Sequence, residues 1–206
     1  MDKSKVSKRK IQGLQTKRRL MDCAISLFRD KGYHQVTVDE IIEQAGSSKG
    51  GFYTHFSSKE ELLYSLIGVL DEVYMEFLES DLSGRNAAEK IAEFIEYAFK
   101  AIEERIGLEF IKVIYASQIR DMVPDKFAVT PARKYYQILE KFIQEGKDSN
   151  EIQADLSVQH TIRILTTGMR GVIYDWCLSN GNFSLRGYGS EIISILLQQL
   201  IPQPQR

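Results

Sequence analysis

Apolar positions recur along this chain with the period of an α-helix almost from end to end. Leu20, Ala24, Leu27 and Phe28 form one stripe, predicting a first helix over about 14–31, and Gly32 follows Lys31 as a C-terminal stop. Thr37-Val38-Asp39-Glu40 is a capping box: the threonine hydroxyl takes the N3 amide while the glutamate reaches back. It predicts a short helix, 38–45, with Val38, Ile41, Ile42 and Ala45 inward. Ser58-Lys59-Glu60-Glu61 is a second box, opening a long helix to about 79 that carries Leu62, Leu66, Leu70, Val73 and Phe77. Asn86-Ala87-Ala88-Glu89 caps a helix to about Arg105 with Ile91, Ile95, Ala98 and Ile102 on one face, and Gly107 separates it from an apolar helix over 108–119. Residues 120–130 contain Pro124 and read as a loop. Thr130-Pro131 looks like an N-cap with proline at the first helical position, starting a helix to about Glu145. Ser157 caps a helix to Ser179, and a last helix starts near Ser184 or Gly189 and runs to Ile201. No segment alternates with period two, so the expected fold class is all-α.

One stretch resists this simple pattern. In Ser47-Ser48-Lys49-Gly50-Gly51-Phe52-Tyr53-Thr54-His55-Phe56, two glycines sit where a helix should begin, each costing about 1 kcal/mol relative to alanine. Phe52 and Phe56 are nonetheless an i,i+4 apolar pair. A helix over 38–45, a turn at Gly46 and a helix over 48–55 make a helix-turn-helix pattern. With the two phenylalanines inward, Lys49, Gly50, Tyr53 and His55 are left to face outward. Glycine at the start of a recognition helix lets the backbone approach a base edge or phosphate. Tyr53 and His55 then serve as donors to phosphate oxygens. Lys59, a cation at the first position of a capped helix, opposes the helix dipole unless an anion such as a DNA phosphate binds there. Taken singly, each is an ordinary surface residue; their grouping around one short helix is what points to DNA.

Charge supports that assignment. The chain of 206 residues is near neutral, but residues 1–64 hold 12 basic and 8 acidic side chains, against 15 and 20 in the remainder. Eight of the basic residues lie in the first 20 positions, opposed by Asp2 alone, as expected of an arm that meets a polyanion or of a solubilising tail. No apolar run approaches the roughly 18 residues of a membrane span, and no secretory signal is expected, so the location expected is cytoplasmic. Cys23 and Cys177 fall in apolar-periodic segments and are expected to be buried thiols. There is no nucleophile elbow, Walker loop, dinucleotide fingerprint or metal-spaced cluster, and His34, His55 and His160 are far apart in sequence. We therefore expect no enzyme, no cofactor and no metal.

The run TVDEIIEQAGSSKGGFYTHFSSKEELL resembles the DNA-binding domain of TetR-family transcriptional regulators. The elements of the resemblance are the capped helix, Ala-Gly with a polar turn, a small residue before Phe-Tyr-x-His-Phe, and Ser-Lys-Glu-x-Leu. It covers about residues 16–66. It implies that Thr37, Tyr53, His55 and Lys59 match phosphate-contacting positions. Ser47 belongs to the polar turn beside them, and Ser48, Lys49 and Gly50 match positions near base edges. Asp39 stands where some members carry a basic base-reading residue. The resemblance further implies a basic flexible arm over 1–13, a three-helix helix-turn-helix DNA-binding domain over 14–66 and a larger helical ligand-binding and dimerisation domain over 67–206. The expected partners are an inverted-repeat DNA operator, a small, largely apolar effector and a second copy of the chain, with no membrane. An activator, or a helical DNA-binding or interaction protein indifferent to ligand, is the alternative.

In the larger domain the residues themselves say less. The last helix carries Ile192, Ile193, Ile195, Leu196, Leu197, Leu200 and Ile201, too wide an apolar arc for one-sided burial. Gly168 and Gly171 in the helix before it permit close helix approach, so these two helices are the expected dimer surface. Phe94, Phe110, Ile114, Tyr115, Tyr135, Arg170, Tyr174 and Trp176 are candidate pocket-lining residues, although an aromatic at helical spacing is more often plain core. Arg170, among apolar neighbours, requires an anionic partner such as Asp175, another acid or an acidic effector.

Overall fold

A computed structural model describes residues 3–65, 67–119 and 130–202, and among these the ordered elements are all helical. Two compact units divide the chain, Met1–Val69 and Leu70–Arg206.

The first unit is built on α1 (Lys3–Lys31), α2 (Val38–Gln44), α3 (Lys49–Tyr53) and α4 (Lys59–Ser65). Helix α1 begins at Lys3, so residues 3–13, expected to be a flexible arm, continue the helix toward the N-terminus. The expected apolar stripe is the core: Leu20, Ala24, Phe28, Ile41 and Phe52 are fully shielded, with Phe56 alongside. Burying a side chain of this size contributes about 1.5–3 kcal/mol, so this small unit rests on few residues. Gly32 ends α1 at φ +80°, and a short 3₁₀ turn, Tyr33–Gln35, leads to α2. The long helix expected over 58–79 is described as α4 and α5 (Ile67–Phe77), with Leu66 between them outside the described residues.

The second unit takes in most of α5, α6 (Ala87–Ala101), a π-helical turn (Ile102–Ile106), α7 (Leu108–Ile119), α8 (Lys134–Asp148), α9 (Val158–Leu178) and α10 (Leu185–Leu200). Helix α6 is central, packed by α8 and α10, while α9 packs on α7, α8 and α10. Its inward face, Ile91, Phe94, Ile95, Ala98 and Phe99, is fully buried. The expected capping box at Asn86 forms, with Glu89 Oε2 accepting from the Asn86 amide at 2.9 Å. The π turn closes on Gly107, whose N–H donates to Ile102 O at 2.9 Å. It turns Glu103 toward the start of α10, where its carboxylate accepts from the amides of Leu185 and Arg186, both at 3.0 Å. Lys147 holds the loop after α8 by donating to the carbonyls of Gln153, Ala154 and Leu156.

Three expectations change. The Thr130-Pro131 pair does not open α8; a turn closes from the Arg133 N–H to Thr130 O at 3.2 Å, and the helix starts at Lys134 with Arg133 as its N-cap. The loop expected at 120–130 lies, except for Thr130, outside the described residues. The α9 glycines also part company. A side chain on Gly168 would start 2.6 Å from Leu196 Cδ1, so Gly168 lets α10 of the same chain come close, whereas Gly171 faces open space. Cys23 and Cys177 are free and only half-buried; burial raises both thiols, Cys177 to about 11.

Candidate functional site

The head presents a helix-turn-helix whose two caps are both made. Thr37 Oγ1 accepts from the Glu40 amide at 3.2 Å, and Glu40 Oε2 accepts from the Thr37 amide at 2.8 Å. Glu40 also accepts from Lys31 Nζ at 2.8 Å. That ammonium, followed by the Thr37 amide and hydroxyl, lowers the Glu40 carboxyl from 4.5 to about 2. A depressed folded-state pKa means that this contribution to stability is present above the unfolded value and is lost as pH falls toward the folded one. Glu40→Gln should therefore reduce stability at neutral pH and remove part of the acid sensitivity between pH 4.5 and 2, as read by circular dichroism along a pH titration.

The two glycines at the start of α3 have different surroundings. Ser48 caps α3 by accepting from the Gly51 amide at 3.0 Å. A side chain on Gly51 would begin 2.7 Å from Ser47 Oγ and 3.2 Å from Ser48 Oγ, so the Ser47 hydroxyl would have to turn aside to admit it. Around Gly50 no atom of the described residues lies within 4 Å, so none of them explains the missing side chain there. Gly50 is exposed on α3 with Lys49 and Tyr53, while Phe52 and Phe56 lie inward with ring centroids 5.6 Å apart. Lys49 Nζ lies 3.3 Å from Asp39, both side chains largely solvent-exposed. Thr37 and Ser48 are exposed and Ser47 half-exposed on the same motif. His55 is half-buried, its Cε1 lying 3.7 Å from where a side chain on Gly13 of α1 would begin.

Lys59 departs from expectation. Its ammonium donates to the carbonyls of Tyr33 at 3.0 Å and Val36 at 2.8 Å, and lies 4.2 Å from the Tyr33 ring centroid. The conflict with the dipole of α4 is thus met inside the protein: the long side chain bends to two carbonyl oxygens and fastens the 33–36 turn to α4. Partial burial lowers its pKa. The Tyr33 hydroxyl completes the junction by donating to Glu60 at 3.2 Å. The second capping box is also modified. Ser58 Oγ accepts from the Glu61 amide at 3.2 Å, but the Glu61 carboxylate reaches the Ser57 amide at 2.6 Å, one residue further back.

In the second unit a mostly apolar pocket opens among α5, α7, α8 and α9, with about 560 Å³ free of protein atoms, mouth included. Of the candidate lining residues, Ile114, Tyr115, Tyr135 and Arg170 form its wall. Phe94 and Phe110 are instead sealed in the core, Phe94 against Tyr74, Phe77 and Phe142. Tyr174 faces outward, and Trp176 is buried with its Nε1 donating to Phe183 O at 3.1 Å. Sequence patterning missed Leu70, Tyr74, Met169, Ile173 and Arg133 on the wall. Arg133 is the informative omission. Its Nε donates to both oxygens of Asp71, at 2.8 and 3.0 Å, in a pair that is largely shielded from water. Arg170 donates to Tyr136 Oη at 3.0 Å and Thr167 Oγ1 at 3.2 Å; Asp175, weighed as its partner, is exposed. Burial pushes the Tyr74 hydroxyl up to about 12, and it raises those of Tyr115 and Tyr135 as well, so the wall tyrosines are neutral donors at physiological pH.

Comparison with known proteins agrees with both units. Residues 20–66 match the model for bacterial regulatory proteins of the tetR family, and residues 73–199 match that for the YsiA-like protein C-terminal region. The fatty acid metabolism regulator protein of Bacillus subtilis (strain 168) is 25% identical over 179 residues, covering 86% of this chain and 92% of that one. The HTH-type transcriptional repressor KstR2 of Mycolicibacterium smegmatis is also 25% identical, covering 86% and 87%. The crystal structure of the transcriptional regulator FadR from Bacillus subtilis in complex with stearoyl-CoA superposes with a TM-score of 0.71 at 21% identity, covering 89% of this chain and 98% of that one. With its helix-turn-helix head and its larger helical unit both matched, the chain belongs to the TetR family of bacterial regulatory proteins, DNA-binding regulators of transcription.

Proposed function

We propose that this protein is a ligand-responsive transcriptional repressor, which binds a two-fold symmetric operator as a dimer and leaves it when a small molecule with a long apolar part enters the pocket of the second unit. The observation that carries this is the presence, in one chain, of an exposed helix-turn-helix surface and a separate, largely apolar pocket. The relatives add the chemical class: one is named for fatty acid metabolism, and a fold neighbour holds stearoyl-CoA. An acyl chain is matched by walls of Leu70, Ile114, Met169 and Ile173.

In the head, Lys49 and Gly50 meet base edges, with Ser47 and Ser48 beside them, and Thr37 and Tyr53 meet phosphates. His55, half-buried toward α1, is placed at the margin of this surface. Lys59 acts mainly by holding the 33–36 turn. Asp39 pairs with Lys49 in the free protein and must give it up when Lys49 reaches a base. The dimer surface is the outer side of α9 and α10, where Tyr174, Leu178, Tyr188 and Ile195 are exposed.

Selection of bound DNA from a random pool tests the proposal, followed by titration of the selected site with salt and with acyl thioesters. An inverted repeat should emerge, and log affinity should fall with log salt at about 0.9 per phosphate neutralised. Lys49→Ala should alter the selected bases, whereas Tyr53→Phe should weaken all sequences alike. No enriched site, or no release by any acyl compound, would overturn the assignment.

A further inference from the structure

We infer that Asp71 is a built-in occupant of an oxyanion site at Arg133, and that the effector's anionic group takes its place. This rests on the pocket being the effector site. Arg133 lies on the wall of an apolar cavity with its side chain only 10% exposed, and its Nε is held by both Asp71 oxygens. The Arg133 guanidinium carbon also lies 5.5 Å from the ring centroid of Tyr135, another wall residue. A shielded guanidinium must keep an anionic partner, because a lone buried charge is far costlier than a paired one. An effector that brings an oxyanion into this space therefore has two routes. It either leaves Asp71 in place and crowds two anions onto one guanidinium in a poorly screened site, or it exchanges with Asp71. Exchange with a carboxylate keeps the charge of the site unchanged, and exchange with any oxyanion adds less negative charge than crowding does.

Asp71 pairing and anion binding at Arg133 thus compete, and that competition gives the ligand different affinities for two states of the protein, without which no ligand shifts an equilibrium. The exchange also acts at one element. Asp71 lies on α5 between Leu70 and Tyr74, which line the same pocket. The displaced carboxylate and the incoming chain therefore both bear on α5. The ligand class is an apolar chain carrying an oxyanion, supplied either by the carboxylate of a free fatty acid or by the phosphates of an acyl-coenzyme A.

Calorimetric titration of the full chain with palmitate, palmitoyl-coenzyme A and neutral methyl palmitate separates the cases. Asp71→Asn removes the competitor without changing size. It should tighten binding of at least one anionic probe by about tenfold, the scale of a hydrogen bond to a charged group, and leave methyl palmitate unchanged. Arg133→Gln should weaken the same probe by a similar factor. Should that variant fail to fold, Asp71→Asn alone decides, with thermal melting as the check. The anionic probe that responds identifies the source of the oxyanion. Binding of every probe unaltered by Asp71→Asn, or altered equally for the neutral ester, overturns the exchange while leaving the pocket assignment intact. Ile173→Trp, which fills the cavity, tests that assignment separately: if it leaves all binding unchanged, the pocket is not the site and the exchange falls with it.

Discussion

Gly50→Leu should cost about a hundredfold in operator affinity while leaving the head at least as stable as before. Leucine is the better helix former by nearly 1 kcal/mol, and nothing lies within 4 Å of where its side chain would start. The described residues of the free protein therefore give no reason for glycine at this position. The reason must come from something that approaches α3 from outside, and a backbone held against a DNA groove is such a thing. A side chain there would hold α3 away from the bases and cost more than one specific contact, each worth roughly 1–3 kcal/mol. Gly51→Ala is the control. Its methyl group would start 2.7 Å from the Ser47 hydroxyl and 3.2 Å from that of Ser48, which caps α3, so the gain in helix propensity is offset and melting does not rise. Thermal melting and fluorescence anisotropy on the selected operator measure both. Operator affinity within twofold of wild type for Gly50→Leu would show that DNA does not come close at this residue.

The second large effect is expected at the outer side of α9 and α10. Leu178 and Ile195 are 66% and 52% exposed, with Tyr174 and Tyr188 in the same two helices. Leu178→Asp combined with Ile195→Asp should give monomers by light scattering without loss of helix content, because neither side chain contributes to the buried core. A monomer offers one helix-turn-helix to one half-site, so affinity for the whole operator should fall by about 10²–10⁴, the usual scale of lost bivalency. Affinity for an isolated half-site should not change. An unaltered dimer mass would place the interface elsewhere. Leu196, though in the same apolar arc, is a poorer probe, since its Cδ1 fills the space over Gly168 within the chain.

What the sequence disclosed, and what it withheld, divides by the range of the interaction. The caps at Thr37 and Asn86 were legible because both partners lie three residues apart. The core face of α6 was legible because burial follows the helical period. Lys59 was not, since its ammonium reaches carbonyls more than twenty residues away, and local electrostatics alone pointed outward to a phosphate. The start of α8 was misplaced for a similar reason: the Thr-Pro signal is local, whereas Arg133 is fixed by Asp71 from another helix. Phe94 and Phe110 show a further limit. Periodicity tells which residues turn inward, but not which inward residues border empty space, and these two border other side chains.

The π turn at Ile102–Ile106 has a consequence for how such a regulator changes over generations. A π turn is a helix carrying one residue more than an α-helix would need. Here the surplus is absorbed between α6 and α7, with Ile102, the first residue of the turn, on the pocket wall and Ile111, Ile114 and Tyr115 on the wall after it. Losing a single codon in this stretch would shorten the π turn before the Gly107 break and shift Ile102 against the wall residues of α7. It would also pull Glu103 away from the amides of Leu185 and Arg186. One small deletion thus re-indexes the sensing wall, through a segment that lies wholly in the second unit and leaves every codon of the helix-turn-helix unchanged. A lineage holding such a turn can acquire a new inducer while continuing to govern the same promoters.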